Sequence, residues 1–334
     1  MRVLDKYIKY GYIINIMFKK ILLDETPIMD VYRNIFYSYG YQSFGKNIYV
    51  IPYYFLSKNI DTKSIVMTKF YRNIEKKRII NKHYVRTHNI LDGIRIAKGL
   101  GYNVGRDPRY GLPCVILGVS KIVKIFNPLS TKKYLDLRKK ISEYFDIPLN
   151  SVGILRSSLT GMDMKESNID IGIFGVKHCS PVINNFEKFT DLMGKKNTVR
   201  INRHVNLLPK RLDGIKSWLK KKQWYSFNYS GKSVDFHFIK KGSEMNTYRL
   251  INNFGNSKIK IKILDCRDSF YAPFSYKIKI LYPKKYSNMT AYLITYSRFF
   301  SGLFKKNELL NFQGRIEENT LDDKKVITTY IDEI

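Results

Sequence analysis

The chain is short of acid. Its 334 residues carry 28 Asp and Glu against 59 Lys and Arg, a formal net charge of +31. Such a field attracts polyanions, nucleic acid first among them. A/T-rich codon usage inflates Lys, Ile, Tyr and Asn, but does not alone yield two positive charges for each negative one. Cysteine is scarce: Cys114, Cys179 and Cys266 are far apart, with no CxxC or Cys/His cluster. That spacing excludes a structural zinc site and fits a reducing, cytoplasmic location. No apolar run reaches the roughly 18 residues of a membrane span. The N-terminal apolar stretch is broken by Asn15, Lys19 and Lys20 and lacks a small-residue cleavage site, so it does not read as a signal peptide. Internal repeats and low-complexity linkers are also missing.

What is present suffices for a folded core, since 44% of the residues are hydrophobic. Three regions are expected. Residues 1–105 are basic and β-rich, with one helix near Pro27–Tyr39 and another over Asp92–Gly101. Their most basic part holds Lys69, Arg72, Lys76, Lys77, Arg78, Lys82 and Arg86, interleaved with Phe70, Tyr71 and Tyr84. Residues 106–243 mix helices and strands. Strands are expected within Leu112–Ile125, at Val152–Leu155, at Ile169–Phe174 and at Ser233–Lys240, where alternation is clean. A helix capped by Ser130 and ended by Pro148 has Leu135, Ile141, Tyr144 and Phe145 on its apolar face. Two more helices are read at Asn184–Gly194 and Leu212–Lys222, the second ending in Lys220, Lys221 and Lys222 beside Trp224 and Tyr225. Residues 244–334 read as a small antiparallel β module, with Lys alternating with Ile over Ser257–Cys266. The fold class is therefore α+β, a mixed sheet with flanking helices followed by a β module.

The chemistry concentrates between Arg156 and Gly175, RSSLTGMDMKESNIDIGIFG. It reads as a tight turn and short helix leading into a strand with polar residues on one face. Two-metal phosphoryl transfer needs carboxylates that hold Mg²⁺ ions about 3.5–4 Å apart. Acids at i and i+2 of a strand share a face, and a neighbouring strand supplies a third. A Gly-Ser turn ahead of them lets backbone N–H groups and a hydroxyl grip a triphosphate. Ser157, Gly161, Ser167 and Asp170, with Ser158 beside them, resemble in spacing the nucleotidyltransferase pattern of the DNA polymerase β superfamily, a Gly-Ser pair, a glycine four residues after the serine, then Ser-Asp-x-Asp. Arg156 replaces the turn glycine, and Asn168 replaces the first aspartate. A neutral amide there weakens Mg²⁺ binding, while Arg156 could still contact phosphate as a cation. The third acid is expected at Asp235, with His237 two residues on; that histidine reads first as structural. Asp163 and Glu166 lie off the pattern's spacing.

These residues resemble the nucleotidyltransferases of the DNA polymerase β superfamily. Beyond the window, the chain is similar to the archaeal predicted nucleotidyltransferases. The likeness runs through Ile147-Pro148-Leu149, Asp107-Pro108-Arg109-Tyr110 and Phe126-Asn127-Pro128. Downstream it includes Leu264-Asp265, Asp268-Ser269, Phe270-Tyr271-Ala272-Pro273 and Tyr276, then Thr295-Tyr296, Phe300, Gly302, Gly314, Ile316 and Glu317. The resemblance implies a nucleotidyltransferase core over 106–243 and chemistry on a nucleotide triphosphate with Mg²⁺ or Mn²⁺. It implies Asp170 and Asp235 as metal ligands, Asn168 as a weakened third, and Arg156, Ser157, Ser158, Gly161 and Ser167 at the nucleotide.

Three functions follow. The first is an active transferase acting on a nucleic-acid end or a protein hydroxyl. The second is a fold that has lost catalysis and binds nucleic acid through Lys69, Arg72, Lys76, Lys77, Arg78 and Lys220–Lys222. The third is a structural protein whose β module engages a partner.

Overall fold

The computed structural model describes residues 24–38, 40, 45–56, 70–75, 78–87, 90–109, 112–163, 167–193, 219–220, 222–241, 244, 248–295, 298–322 and 324–331. The architecture is mixed α+β, with several sheets and few helices. Two compact units divide the chain. Met1–Asp107, Leu112–Asn127 and Thr160–Met162 form the first, and Pro108–Gly111, Pro128–Leu159 and Asp163–Ile334 the second. The first unit thus extends past residue 105, and the central sheet and the C-terminal β module share one unit.

The first unit contains β1 (Pro27–Asp30), β2 (Ile35–Ser38), β3 (Asn47–Leu56), β4 (Phe70–Glu75), β5 (Arg78–Arg86), helix α1 (Ile90–Gly99), β6 (Val104–Arg106), β7 (Pro113–Gly118) and β8 (Ile122–Ile125). The sheet runs β4-β5-β3-β2-β1-β8, with β7 also on β3 and β6 on β7. The helix expected near Pro27–Tyr39 is instead the β1–β2 hairpin. Apolar residues at 28, 31, 35 and 36 imitate a helical period, but β-branched and aromatic side chains favour a strand once both faces are covered. All four residues of β2 are buried. The turn is held from inside: the Asp30 carboxylate accepts from the Asn34 amide at 2.8 Å and from the Tyr102 hydroxyl. Helix α1 ends near the expected glycine. Gly101 adopts φ +81°, and the Tyr102 N–H closes on Ala97 O, a left-handed C-terminal stop.

In the second unit come α2 (Leu135–Tyr144), β9 (Val152–Ile154), α3 (Arg156–Thr160, all but its last residue), β10 (Ile169–Phe174), α4 (Val176–Met193), β11 (Ser226–Tyr229) and β12 (Lys232–Ile239). Ser130 does not cap α2. Tyr134 precedes the helix at φ +51° with no side-chain cap. The reason is Arg138, 3% exposed, whose guanidinium donates to Val152 O at 2.8 Å, Leu129 O at 3.1 Å and Thr131 O. It holds 129–131 as a loop rather than a helical turn. Helix α4 starts at Val176, eight residues before the expected Asn184, and carries Pro181 inside it. The expected helix at Leu212–Lys222 lies largely outside the described residues.

The four strands order as β11-β12-β10-β9, with β10 and β12 parallel and both edges antiparallel. β10 is buried at every position, as a strand covered on both faces must be. Leu137, Ile141 and Phe145 from the α2 region pack with Val182, Phe186 and Phe189 of α4 on Ile154, Ile171 and Phe236. Gly153 and Gly172 are register partners. A Cβ at Gly172 would stand 2.7 Å from the Phe174 ring, so the strand pair requires glycine there.

Last comes a closed barrel of β13 (Tyr248–Asp265), β14 (Phe274–Tyr282), β15 (Thr290–Thr295), β16 (Leu309–Leu321) and β17 (Lys324–Ile331), ordered β13-β14-β15-β17-β16. It is not wholly antiparallel as expected, because β15 and β17 run parallel. Closure leaves no unpaired edge. Ile259, Ile261, Ile263, Tyr276, Ile278 and Leu293 fill the interior. Among the described residues, no helix is long and apolar enough to cross a membrane.

Candidate functional site

Asp170 and Asp235 are direct partners across the parallel β10–β12 pair. Matched positions on adjacent parallel strands project to the same face, so the two carboxylates converge as the sequence pattern requires. Their meeting point is a nitrogen. Asn168 Nδ2 donates to Asp170 Oδ1 at 2.9 Å and to Asp235 Oδ2 at 2.8 Å. Asp170 is 3% exposed and Asp235 7%, so the pair depends on internal donors more than on water.

Several cationic or polar groups surround it. Arg156 Nη1 lies 3.9 Å from Asp170 Oδ1. His237 Nε2 lies 3.0 Å from the same oxygen and 2.8 Å from Arg298 Nη1. One ring nitrogen cannot donate to the first and accept from the second at once. Arg298 also donates to Phe236 O at 2.7 Å. Burial pushes the Asp170 carboxyl up, but Arg156, His237 and Arg298 outweigh it and hold it below the ordinary carboxylate range. Two carboxylates are therefore balanced by two guanidinium groups.

Arg156 has φ +51°, the left-handed conformation that glycine adopts without strain. The position keeps the glycine-like backbone of the pattern while its side chain reaches toward Asp170. Gly161, at φ +78°, closes the turn. Ser157 and Ser158 lie in the five-residue α3 and are 8% and 1% exposed. The Ser158 hydroxyl is buried with no hydrogen-bond partner among the described residues. Ser167 is half-buried just before β10. Asp163 pairs with Lys133 at 3.0 Å, and Glu166 lies outside the described residues.

The residues present do not fit a two-Mg²⁺ centre. Such a centre needs oxygen ligands and surplus negative charge. Here the point shared by the carboxylates is taken by an amide NH₂, since a carbonyl oxygen facing two carboxylates would be repelled. Among the described residues, no group of three or more His, Cys, Asp or Glu could hold a metal ion.

Several expected nucleic-acid contacts are half-buried or buried and engaged by the protein itself instead. Lys222 donates to the carbonyls of Arg298 and Phe299 at 2.7 and 3.0 Å. Burial and the nearby Arg298 hold its ammonium well below the ordinary lysine range. Trp224 donates to Leu219 O at 2.9 Å, and Tyr225 packs on Phe186, Phe238 and Phe270. Tyr84 is wholly buried. Lys220 is exposed. Arg72 and Arg78 lie on β4 and β5, while Lys69, Lys76, Lys77 and Lys221 lie outside the described residues.

Sequence reasoning missed Arg298. Its position in the β15–β16 connection carries no local signal, and only the packing of the barrel against β12 brings it to His237. The segment Asp268–Tyr271 helps make that packing: Asp268 binds Lys240 at 2.6 Å, and Tyr271 bridges to Phe238.

No family model, curated protein or solved structure matches the chain.

Proposed function

We propose that this protein has a polymerase β-type nucleotidyltransferase fold that no longer performs metal-dependent transfer and that binds nucleic acid. The observation that carries the reading is the Asn168 amide, which donates to both Asp170 and Asp235. It supplies hydrogen where a phosphoryl-transfer centre needs oxygen, and Arg156 and Arg298 supply the charge that a metal would bring. The net charge of +31 favours a polyanionic partner.

The test pairs two measurements on the native chain. Labelled nucleotide triphosphates with Mg²⁺ or Mn²⁺ are expected to give neither pyrophosphate release nor nucleotide incorporation. Labelled oligonucleotides are expected to bind with an affinity that falls steeply with salt. Metal-dependent transfer abolished by Asp170→Ala would overturn the reading.

That outcome would establish the second reading, a working nucleotidyltransferase with Asn168 as a weak ligand. It draws on the convergence of the two carboxylates and on the unpartnered Ser158 hydroxyl at a position of the nucleotide-binding pattern.

A further inference from the structure

The outer face of the C-terminal barrel carries lysines that the Asp170 site does not use. Along β13, Ile259, Ile261 and Ile263 fill the interior, and Lys258, Lys260 and Lys262 face outward. β14 repeats the arrangement, with Ile278 and Ile280 inside and Lys277 and Lys279 outside. Lys262 and Lys279 stand directly opposite each other across the strand pair. On the β16 side, Lys262, Lys260 and Lys258 face Leu309, Asn311 and Gln313, none of them acidic. Asp265, in register with Lys277, is already bound to Arg267 at 2.6 Å. Directly opposed like charges destabilise a sheet. A face that keeps Lys262 opposite Lys279, with no acid in register with either among the described residues, carries a repulsion that a bound polyanion would relieve.

Exposed rings accompany the charge. Tyr282, 49% exposed, is in register with Lys260. Phe254, 47% exposed, lies beneath Lys285, whose Nζ is 5.7 Å from its ring centre. Bases of any sequence stack on such rings while lysines follow the backbone.

Counting the barrel strands from one to five, the order is one, two, three, five, four, closing on one, with three and five parallel. Five-stranded oligonucleotide-binding barrels bind single strands across the second and third strands and adjoining loops; here the second strand, β14, is shared with that surface, while the lysines extend it onto the first, β13, rather than the third. Topology alone assigns no function; here the lysines and rings supply the chemistry.

We propose that the outer face of β13 and β14 binds single-stranded nucleic acid, with phosphates along the five lysines and bases on Tyr282 and Phe254. This rests on the nucleic-acid reading above and names its surface.

The experiment measures binding of a fluorescent single-stranded oligonucleotide to the full chain over a salt series. A barrel variant (Lys260→Gln, Lys262→Gln, Lys277→Gln, Lys279→Gln) is compared with a control of equal charge (Lys98→Gln, Lys121→Gln, Lys132→Gln, Lys139→Gln). If all four barrel lysines meet phosphates, the salt slope falls by about 2.8 and affinity near 0.1 M salt drops by roughly 10²–10³-fold, while the control changes little. Tyr282→Ala is expected to weaken binding about 5- to 150-fold with the salt slope unchanged. Equal losses in the barrel and control variants would overturn the assignment to this face and leave the nucleic-acid reading standing. Tighter binding of duplex than of single strands would overturn the single-strand assignment. Failure of the native chain to bind any oligonucleotide would overturn both.

Discussion

Replacing Asn168 by aspartate reverses the logic of the site and permits a quantitative test. The native amide donates two charge-assisted hydrogen bonds, to Asp170 and to Asp235. In Asn168→Asp neither donor remains, and a third carboxyl joins two that are nearly buried. The molecule can leave all three charged or protonate one. Protonating a carboxyl of ordinary pKa near 3.9 at pH 7 costs about 4 kcal/mol, which caps the repulsion. A single O–H also replaces only one of the two lost bonds, adding roughly 1.5–3 kcal/mol. Arg156 and Arg298 offset part of the total. The expected loss is therefore about 3–5 kcal/mol at pH 7 in chelator, a large share of the roughly 5–15 kcal/mol of a typical domain. A shared carboxyl has a folded pKa raised above its unfolded value. The folded state then holds a proton that the unfolded state releases, so the loss shrinks by about 1.4 kcal/mol per unit as pH falls toward 4. Urea unfolding from pH 4 to 8, with and without Mg²⁺, reads these effects. Added Mg²⁺ should restore much of the variant's stability and leave the native chain unchanged. A variant within about 1 kcal/mol of native at pH 7 in chelator would refute the role given to the amide, as would Mg²⁺ stabilisation of the native chain.

Two further predictions concern buried groups. Arg138→Met strands the carbonyls of Leu129, Thr131 and Val152, and a loss of about 3–5 kcal/mol is expected in denaturant unfolding; a loss below about 1 kcal/mol would show that this guanidinium does not hold the loop. Asp30 provides the pH test. Burial raises its folded pKa above the ordinary carboxylate range despite the hydrogen bonds from Tyr102 and Asn34, so its contribution to stability is greatest at low pH and declines as pH rises from about 4 through the raised value. Asp30→Asn should remove that decline, and a native-minus-variant difference that is flat or rising between pH 3.5 and 7 would contradict the assignment.

The local pattern alone located much of this. A buried apolar run marked β10 and alternation marked β12 and the first barrel strands, the barrel strands alternating because each has an inner and an outer face. It also placed Asp170 and Asp235 where adjacent parallel strands bring them together, and the Lys-Ile alternation of β13 was plain in the sequence. What the sequence could not decide depended on residues distant in the chain. Asn168 reads locally as a missing ligand, and only the pairing of β10 with β12 makes it the donor shared by both carboxylates. Lys222 and Trp224 read as a basic, aromatic surface until the barrel engages them at Arg298 and Phe299, and Arg298 enters only because that barrel packs on β12. The helical period over Pro27–Tyr39 yielded to a hairpin because the Asp30–Tyr102 contact lies 72 residues apart. Periodicity reports which face of an element is covered; the tertiary structure decides which side chains complete the charges and hydrogen bonds there.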